Sequence, residues 1–142
     1  MTVFLDTSAL LKRYANEPGR HLVNSTLRAD NDWCASAMTR TETQLALHRI
    51  AMGRFDQERL WSSFRDDWDA FAVVPVDDRM LIRASEIGAT FGLRTADAIQ
   101  LASADRLPRP VTFITFEFSQ MSAAVELGLD VLTTEGDDGA AV

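Results

Sequence analysis

The chain alternates short apolar runs with longer amphipathic stretches along most of its 142 residues. This alternation is typical of α/β proteins, in which helices connect the strands of a largely parallel sheet. Strands are expected at Thr2–Leu5, Trp33–Ala37, Val73–Val76, Val111–Thr115 and Asp130–Leu132. Helices are expected at Ser8–Asn16, Arg20–Ala29, Thr39–Met52, Asp56–Phe71, from the cap Asp77 to Phe91, from the cap Thr95 to Leu107, and at Ser119–Leu127. The pattern predicts one α/β domain with a mostly parallel sheet over residues 1–132.

The composition is that of an ordinary folded domain, with 46% hydrophobic and 25% charged residues. No run approaches the roughly 18–20 apolar residues of a membrane helix. The N-terminus does not resemble a signal peptide, so we expect a cytoplasmic protein. Residues 133–142 combine acidic and small side chains and are expected to form a disordered tail. A single cysteine, Cys34, excludes an internal disulfide and a cysteine-based zinc cluster.

Four acidic residues occupy comparable places in this scheme. Asp6 ends the first strand and Glu117 follows the strand Val111–Thr115, while Glu42 and Asp97 lie in the first turns of their predicted helices. Ligands of open α/β sheets bind beyond the carboxyl ends of the strands, where all four would meet. Such carboxylates repel one another, so we expect a raised pKa or a bound cation. Hard cations such as Mg²⁺ or Mn²⁺ prefer oxygen ligands of this kind.

Each acid also has a purely structural interpretation. Thr39 and Glu42 match a capping box, in which Glu42 would bond back to the start of its helix. Asp6 could cap the helix that follows it, and Asp97 could favour a helix dipole. Glu117 could be a solvated turn residue. The joint placement of the four acids at one edge favours a functional role.

Four segments resemble the PIN-domain family, and within it the VapC-type toxins of bacterial toxin–antitoxin pairs. The segments are Phe4–Lys12, Thr39–Glu42, Leu93–Ala102 and Phe113–Glu117. Their order and spacing are more specific than any one of them, and the resemblance extends from Thr2 to about Leu132. It implies a three-layer α/β/α fold.

The resemblance also implies an Mg²⁺- or Mn²⁺-dependent endoribonuclease. By this analogy Asp6 and Asp97 are the firmest metal ligands, Glu42 completes the centre and Glu117 is more peripheral. The family usually has Asp at the last position, so Glu117 is a departure that bears on whether the site holds one metal or two. The expected reaction is in-line attack of a metal-activated water on an RNA phosphodiester.

Several residues near the acids are candidates for substrate contacts. Arg40, Arg94 and also Arg13 could hold flanking phosphates, although pairing with neighbouring carboxylates is the simpler role for any one arginine. Thr7 and Thr115 could orient waters or bond the carboxylates, or merely satisfy backbone groups. The net charge of −7 argues against a strongly basic surface, but it does not locate a binding patch.

An aromatic stripe follows on one predicted helix, at Trp61, Phe64, Trp68 and Phe71. Burial in the core is the default for such a stripe. The alternative is an apolar groove for a partner helix near Trp61, Phe64 and Trp68. The family resemblance favours this second use, because it implies an antitoxin that inserts a helix there. It also implies a homodimer.

Other α/β enzymes fit the sequence less well. A phosphotransfer receiver domain needs a late lysine, whereas Lys12 is the single lysine, and a haloacid-dehalogenase-type phosphatase needs Asp where Ser8 stands. No glycine-rich nucleotide loop is present. The remaining alternative is a PIN-like module that binds RNA or protein without cleaving RNA.

Overall fold

The computed structural model describes residues 1–133 as a five-stranded sheet surrounded by helices. The strands are β1 (Thr2–Leu5), β2 (Asp32–Ser36), β3 (Ala72–Val74), β4 (Val111–Ile114) and β5 (Asp130–Leu132). The helices are α1 (Thr7–Lys12), α2 (Arg20–Ala29), α3 (Ala37–Ile50), α4 (Arg54–Trp68), α5 (Asp78–Phe91), α6 (Thr95–Asp105) and α7 (Phe118–Glu126).

The sheet has the strand order β3-β2-β1-β4-β5, and every neighbouring pair is parallel. The prediction of an α/β fold with a mostly parallel sheet is therefore confirmed. The chain moves outward from β1 through β2 to β3 and then returns to place β4 on the other side of β1. The carboxyl ends of β1 and β4 consequently form a topological switch point, which is where open α/β sheets bind ligands.

Two apolar cores cover the two faces of the sheet. Phe4 of β1 and Phe113 of β4 stack on one face, in a core shared with α5, α6 and α7. Val3 and Leu5 point to the other face, where α1, α2, α3 and α4 contribute buried side chains. Because successive strand residues face opposite sides, the strands are apolar on both faces and the domain has three layers.

The predicted boundaries agree with the observed ones for β1, β5, α2 and α5 and are shifted elsewhere. Helix α3 begins at Ala37, because the Ser36 hydroxyl accepts a hydrogen bond from the Met38 N–H and caps the helix. Gly53 precedes α4 as its N-cap with φ 110°, rather than following α3 directly. Thr95 is the first residue of α6 and not its cap. The shift of α3 follows from a capping contact that the apolar periodicity does not encode, whereas the N-caps of α4 and α6 make no side-chain capping bond.

The aromatic stripe belongs mainly to the core, although α4 ends at Trp68 and Phe71 lies beyond the helix. Phe64 is fully buried and Phe71 is 8% exposed, and Trp61 and Trp68 pack against the same apolar cluster. The indole N–H of Trp61 donates to the backbone carbonyl of Gln44 on α3. Phe64 is therefore closed off from any partner, and the predicted groove is wrong at that residue.

Of the predicted disordered tail, 133–142, all but Thr133 lies outside the described residues. No helix within residues 1–133 is both long and apolar enough to cross a membrane.

Candidate active site

The four predicted acids line one pocket at the carboxyl edge of the sheet. The pocket has a volume of about 200 Å³ and is also lined by Thr7, Ser8, Leu11, Ala96, Gln100 and Gln120. Asp6 follows β1, Glu117 follows β4, Asp97 lies in the first turn of α6, and Glu42 lies on α3. Side chains far apart in sequence thus share one small cavity at the switch point.

Asp6 is the most enclosed of these acids, with 1% exposure. Its Oδ1 accepts hydrogen bonds from the Ala9 N–H at 2.9 Å and the Ser8 hydroxyl at 2.7 Å. Its Oδ2 accepts a hydrogen bond from the Thr115 hydroxyl at 2.5 Å. Asp6 is therefore the N-cap of α1, as its structural interpretation predicted, and it also lines the pocket.

The environment of Asp6 disfavours its ionised form. Burial raises the pKa of Asp6 from its ordinary value of 3.8 to about 6, although hydrogen bonds from Thr115, Ser8 and Ala9 oppose this rise. The charge of Glu117 contributes a smaller increase. A bound cation would stabilise the ionised form of this buried carboxylate.

Glu42 is held by side chains from two other helices. Its Oε1 accepts from the Thr7 hydroxyl at 2.5 Å and from the Gln100 amide at 3.0 Å. It is the sixth residue of α3, because that helix is capped by Ser36. The capping-box interpretation with Thr39 and the placement in a first turn are both wrong, since the helix begins before Thr39.

Asp97 and Glu117 differ in how firmly they are fixed. Asp97 is 9% exposed, and its carboxylate accepts from the Gln120 amide at 2.9 Å and the Ser119 hydroxyl at 3.4 Å. Glu117 is exposed at the N-cap of α7, and its carboxylate makes no capping bond. Its backbone N–H donates to the Thr115 hydroxyl oxygen at 2.9 Å. Glu117 is thus the least constrained of the four acids.

The predicted substrate residues fall into two groups. Thr7 and Thr115 bond the carboxylates directly, as the contacts above show. Arg40 and Arg94 are exposed and do not line the pocket, and within residues 1–133 neither forms an ion pair. Arg13 instead pairs with Asp67 at 2.8 Å, so pairing with a carboxylate is its observed role.

The donor set suits a hard divalent ion, since oxygen atoms dominate the polar lining. Within residues 1–133, however, no three acidic, histidine or cysteine side chains converge closely enough to ligate one ion together. Mg²⁺ is usually held by one or two carboxylates and keeps several of its waters. The pocket fits an ion bound in that way, and not one enclosed by protein ligands alone.

The sequence predictions missed two glutamines of the pocket. Gln100 follows Asp97 by three residues on α6, and Gln120 follows Glu117 by three residues at the start of α7. Residues three apart lie on one face of a helix. The spacing was therefore a usable signal, although glutamine alone does not point to a site.

A family model described as the PIN domain matches residues 3–116. The chain is 30% identical to Ribonuclease VapC47 of Mycobacterium tuberculosis over 127 residues, which are 89% of this chain and 92% of that protein. The chain therefore belongs to the PIN-domain family. Within that family, its similarity is to the VapC proteins.

Solved structures give the same fold. The structure of FitAcB from Neisseria gonorrhoeae matches with a TM-score of 0.75 at 19% identity, covering 95% of this chain and 99% of that one. The DNA-bound VapBC of Salmonella typhimurium matches with a TM-score of 0.71 at 16% identity, covering 94% and 98%. The expected three-layer PIN fold is thus confirmed.

Proposed function

We propose that this protein is an Mg²⁺- or Mn²⁺-dependent endoribonuclease and the toxin of a type II toxin–antitoxin pair. The observation that carries the proposal is the pocket at the switch point, where Asp6, Glu42, Asp97 and Glu117 meet. The raised pKa of Asp6 supports it, because a buried carboxylate beside other acids favours cation binding. The 30% identity to a ribonuclease supports RNA as the substrate.

Asp6 and Asp97 are the proposed main ligands, because both are buried and oriented by hydrogen bonds. Glu42 and Glu117 would contact the waters of that ion, because no three acidic side chains within residues 1–133 converge to ligate one ion directly. A bound Mg²⁺ or Mn²⁺ ion would supply a water of lowered pKa and positive charge against the scissile phosphate. In-line attack would form a bond from the water oxygen to phosphorus while the bond to the 3′ oxygen breaks. The attacking water would lose a proton to solvent, and the 3′ oxygen would take one up from solvent.

The chain's own residues prepare this reaction. Thr115 and Ser8 hold Asp6, and Thr7 holds Glu42, so the carboxylates are oriented before substrate arrives. Such preorganisation avoids rearrangement during the reaction. Arg40 and Arg94 are proposed to bind flanking phosphates, because both are exposed and neither is paired within residues 1–133. Their replacement by Ala should raise KM more than it lowers kcat.

Purified protein with Mn²⁺ and an RNA pool tests the catalytic proposal. Asp6→Asn and Asp97→Asn should each lower the rate of cleavage by more than about 100-fold. Substitution of a residue that merely orients a metal ligand lowers activity by about 10–100-fold, and loss of the ligand itself should cost more. Asp69→Asn is the matched control, because Asp69 is exposed at the end of α4. Wild-type cleavage that Asp97→Asn leaves intact would refute the site.

Two observations favour a binding module without cleavage as the alternative. No three potential ligands converge within residues 1–133, and Glu117 departs from the usual Asp. In that case wild-type protein would bind RNA and leave it uncut with either metal. Induced expression of wild type and Asp6→Ala, scored for growth arrest and mapped RNA ends, separates the two functions in cells.

The proposed antitoxin would cover an exposed apolar patch where α3 meets α4, defined by Leu45, Ile50, Met52 and Phe55. These side chains are 48%, 49%, 89% and 84% exposed. Leu45 and Ile50 lie on α3 and Phe55 lies on α4, which are the two helices predicted to bind the partner, but the groove at Phe64 is not retained. The similar solved structures include a toxin–antitoxin complex from Klebsiella pneumoniae, which supports a protein partner.

Co-expression with the product of a short neighbouring open reading frame tests this partner. Phe55→Glu should abolish co-purification, because a charge would be buried in an apolar contact. Val125→Glu on α7 is the control, since Val125 is also exposed, at 62%. If both variants co-purified with the partner equally well, the partner would not bind at the patch that includes Phe55. The homodimer that the family resemblance implies is tested by sedimentation of the wild-type protein.

A further inference from the structure

Two buried glutamines each hold one carboxylate of the pocket. Gln100 is 3% exposed and Gln120 is 2% exposed, and both line the cavity that contains the four acids. Glutamine is seldom buried this completely unless its amide is bonded. The contacts of the two amides therefore indicate why they are there.

Gln100 connects three helices through one nitrogen. Its Nε2 lies within hydrogen-bond distance of Glu42 Oε1 at 3.0 Å, Thr39 Oγ1 at 2.9 Å and Thr7 Oγ1 at 3.1 Å, so its two N–H groups are shared among three acceptors. Thr7 in turn donates its own hydroxyl to Glu42. A carboxylate only accepts hydrogen bonds, so the nitrogen of Gln100 must face Glu42.

Gln120 makes the equivalent contact with a second acid. Its Nε2 donates to Asp97 Oδ1 at 2.9 Å, across the interface between α7 and α6. The same argument fixes the direction of this amide. Two carboxylates from different helices are thus each oriented by one neutral amide donor.

The other amide atoms are unusual. The Oε1 atoms of Gln100 and Gln120 are both buried and have no hydrogen-bond partner among residues 1–133. A buried acceptor without a donor is costly and calls for an explanation. An apolar side chain at either position would avoid the cost of this unpaired oxygen. Hydrogen bonding within the fold therefore does not by itself explain why these positions hold glutamine.

We propose that Gln100 and Gln120 are positioning residues that hold Glu42 and Asp97 for a divalent cation and thereby set the metal affinity of the pocket. This inference rests on the proposed metal-dependent function. A neutral amide suits the task, because Lys or Arg at either place would hold the carboxylate equally well but repel the cation.

Titration of Mn²⁺ into the metal-free protein, followed by calorimetry, tests the inference. Gln100→Met and Gln120→Met keep the side-chain volume and remove the donor, so each should raise the Kd for Mn²⁺ about 10–100-fold. Gln44→Met is the matched control, because Gln44 lies on α3 outside the pocket and should bind Mn²⁺ as the wild type does. Excess Mn²⁺ should restore most of the RNA cleavage of the two pocket variants.

A purely structural role predicts a different result. The pocket variants would then change thermal stability while binding Mn²⁺ with the wild-type Kd, which would overturn this inference and leave the proposed function intact. If wild-type protein binds no Mn²⁺, both proposals fail. If a Met variant does not fold, Gln100→Asn and Gln120→Asn replace it, because the shorter amide cannot span to its carboxylate and should also weaken Mn²⁺ binding.

Discussion

The substitution Asp6→Asn in the metal-free protein removes a buried charge and keeps most of its surroundings. The rise in the pKa of Asp6 from 3.8 to about 6 corresponds to about 3 kcal/mol that ionised Asp6 costs the folded state. Asn is as good an N-cap as Asp, so the bond from the Ala9 N–H persists. Removing the charge should therefore stabilise the fold at neutral pH.

The hydrogen bond from Thr115 offsets part of this gain. The Thr115 hydroxyl donates to Asp6 Oδ2, where Asn would present an NH₂ group and leave the hydroxyl hydrogen unpaired. A buried donor without an acceptor costs about 1–3 kcal/mol, of which we take the lower part because the hydroxyl can rotate. The net stabilisation should be about 1–2 kcal/mol, or about 3–7 °C in Tm for a domain of this size.

The pH dependence follows from the direction of the pKa shift. Because the pKa of Asp6 is higher in the folded than in the unfolded state, the cost is absent below pH of about 4. It grows as the pH rises from about 4 to about 6 and is complete above that range. The advantage of Asp6→Asn should therefore be full at pH 7.5 and lost near pH 4.

Urea unfolding of wild type and Asp6→Asn at several pH values, with a chelator present, measures this difference. Addition of Mn²⁺ should then stabilise the wild type and not the variant, since a ligand that binds only the folded state raises its stability. The reasoning would be refuted if Asp6→Asn were no more stable than wild type at pH 7.5, or if the difference did not change with pH.

Four other substitutions test the fold. Phe64→Ala should cost about 3–5 kcal/mol in urea unfolding because Phe64 is fully buried, whereas Phe55→Ala at 84% exposure should cost less than about 0.5 kcal/mol. Gly19→Ala should lower Tm, since Gly19 has φ +102° and an added Cβ would lie 2.7 Å from the Phe116 ring; an unchanged Tm would contradict this geometry. Glu117→Asp should raise stability by about 0.5–1 kcal/mol by capping α7, where Glu117 makes no capping bond, and a lower Tm would count against it.

Much of the fold could be predicted because its determinants are local. The strand Asp130–Leu132 and the helix Arg20–Ala29 were predicted with their observed bounds, and Asp77 caps α5 as expected through the Met80 N–H. Apolar periodicity and capping residues act over a few neighbours, so a single sequence displays them. Where the capping residue was not the expected one, as with Ser36 before α3, the predicted start of the helix was wrong.

The edge at which the four acids meet was also predictable. Asp6 follows β1 and Glu117 follows β4, and the carboxyl ends of parallel strands face the same edge. That argument depends only on the order of elements along the chain. It could not rank the acids, because burial separates Asp6 at 1% exposure from the exposed Glu117.

Contacts between distant side chains were decided by the tertiary structure alone. The amide of Gln100 meets Thr7 across 93 positions and Glu42 across 58, and no local pattern encodes such a meeting. The same packing buries Phe64 and leaves Phe55 exposed, although both are aromatic residues of α4. The sequence by itself determined which elements form, because these follow from local periodicity, and which edge carries the acids, because this follows from the order of the elements along the chain. Only the packing of helices against the sheet determined which acid is buried and which neutral side chains hold the others.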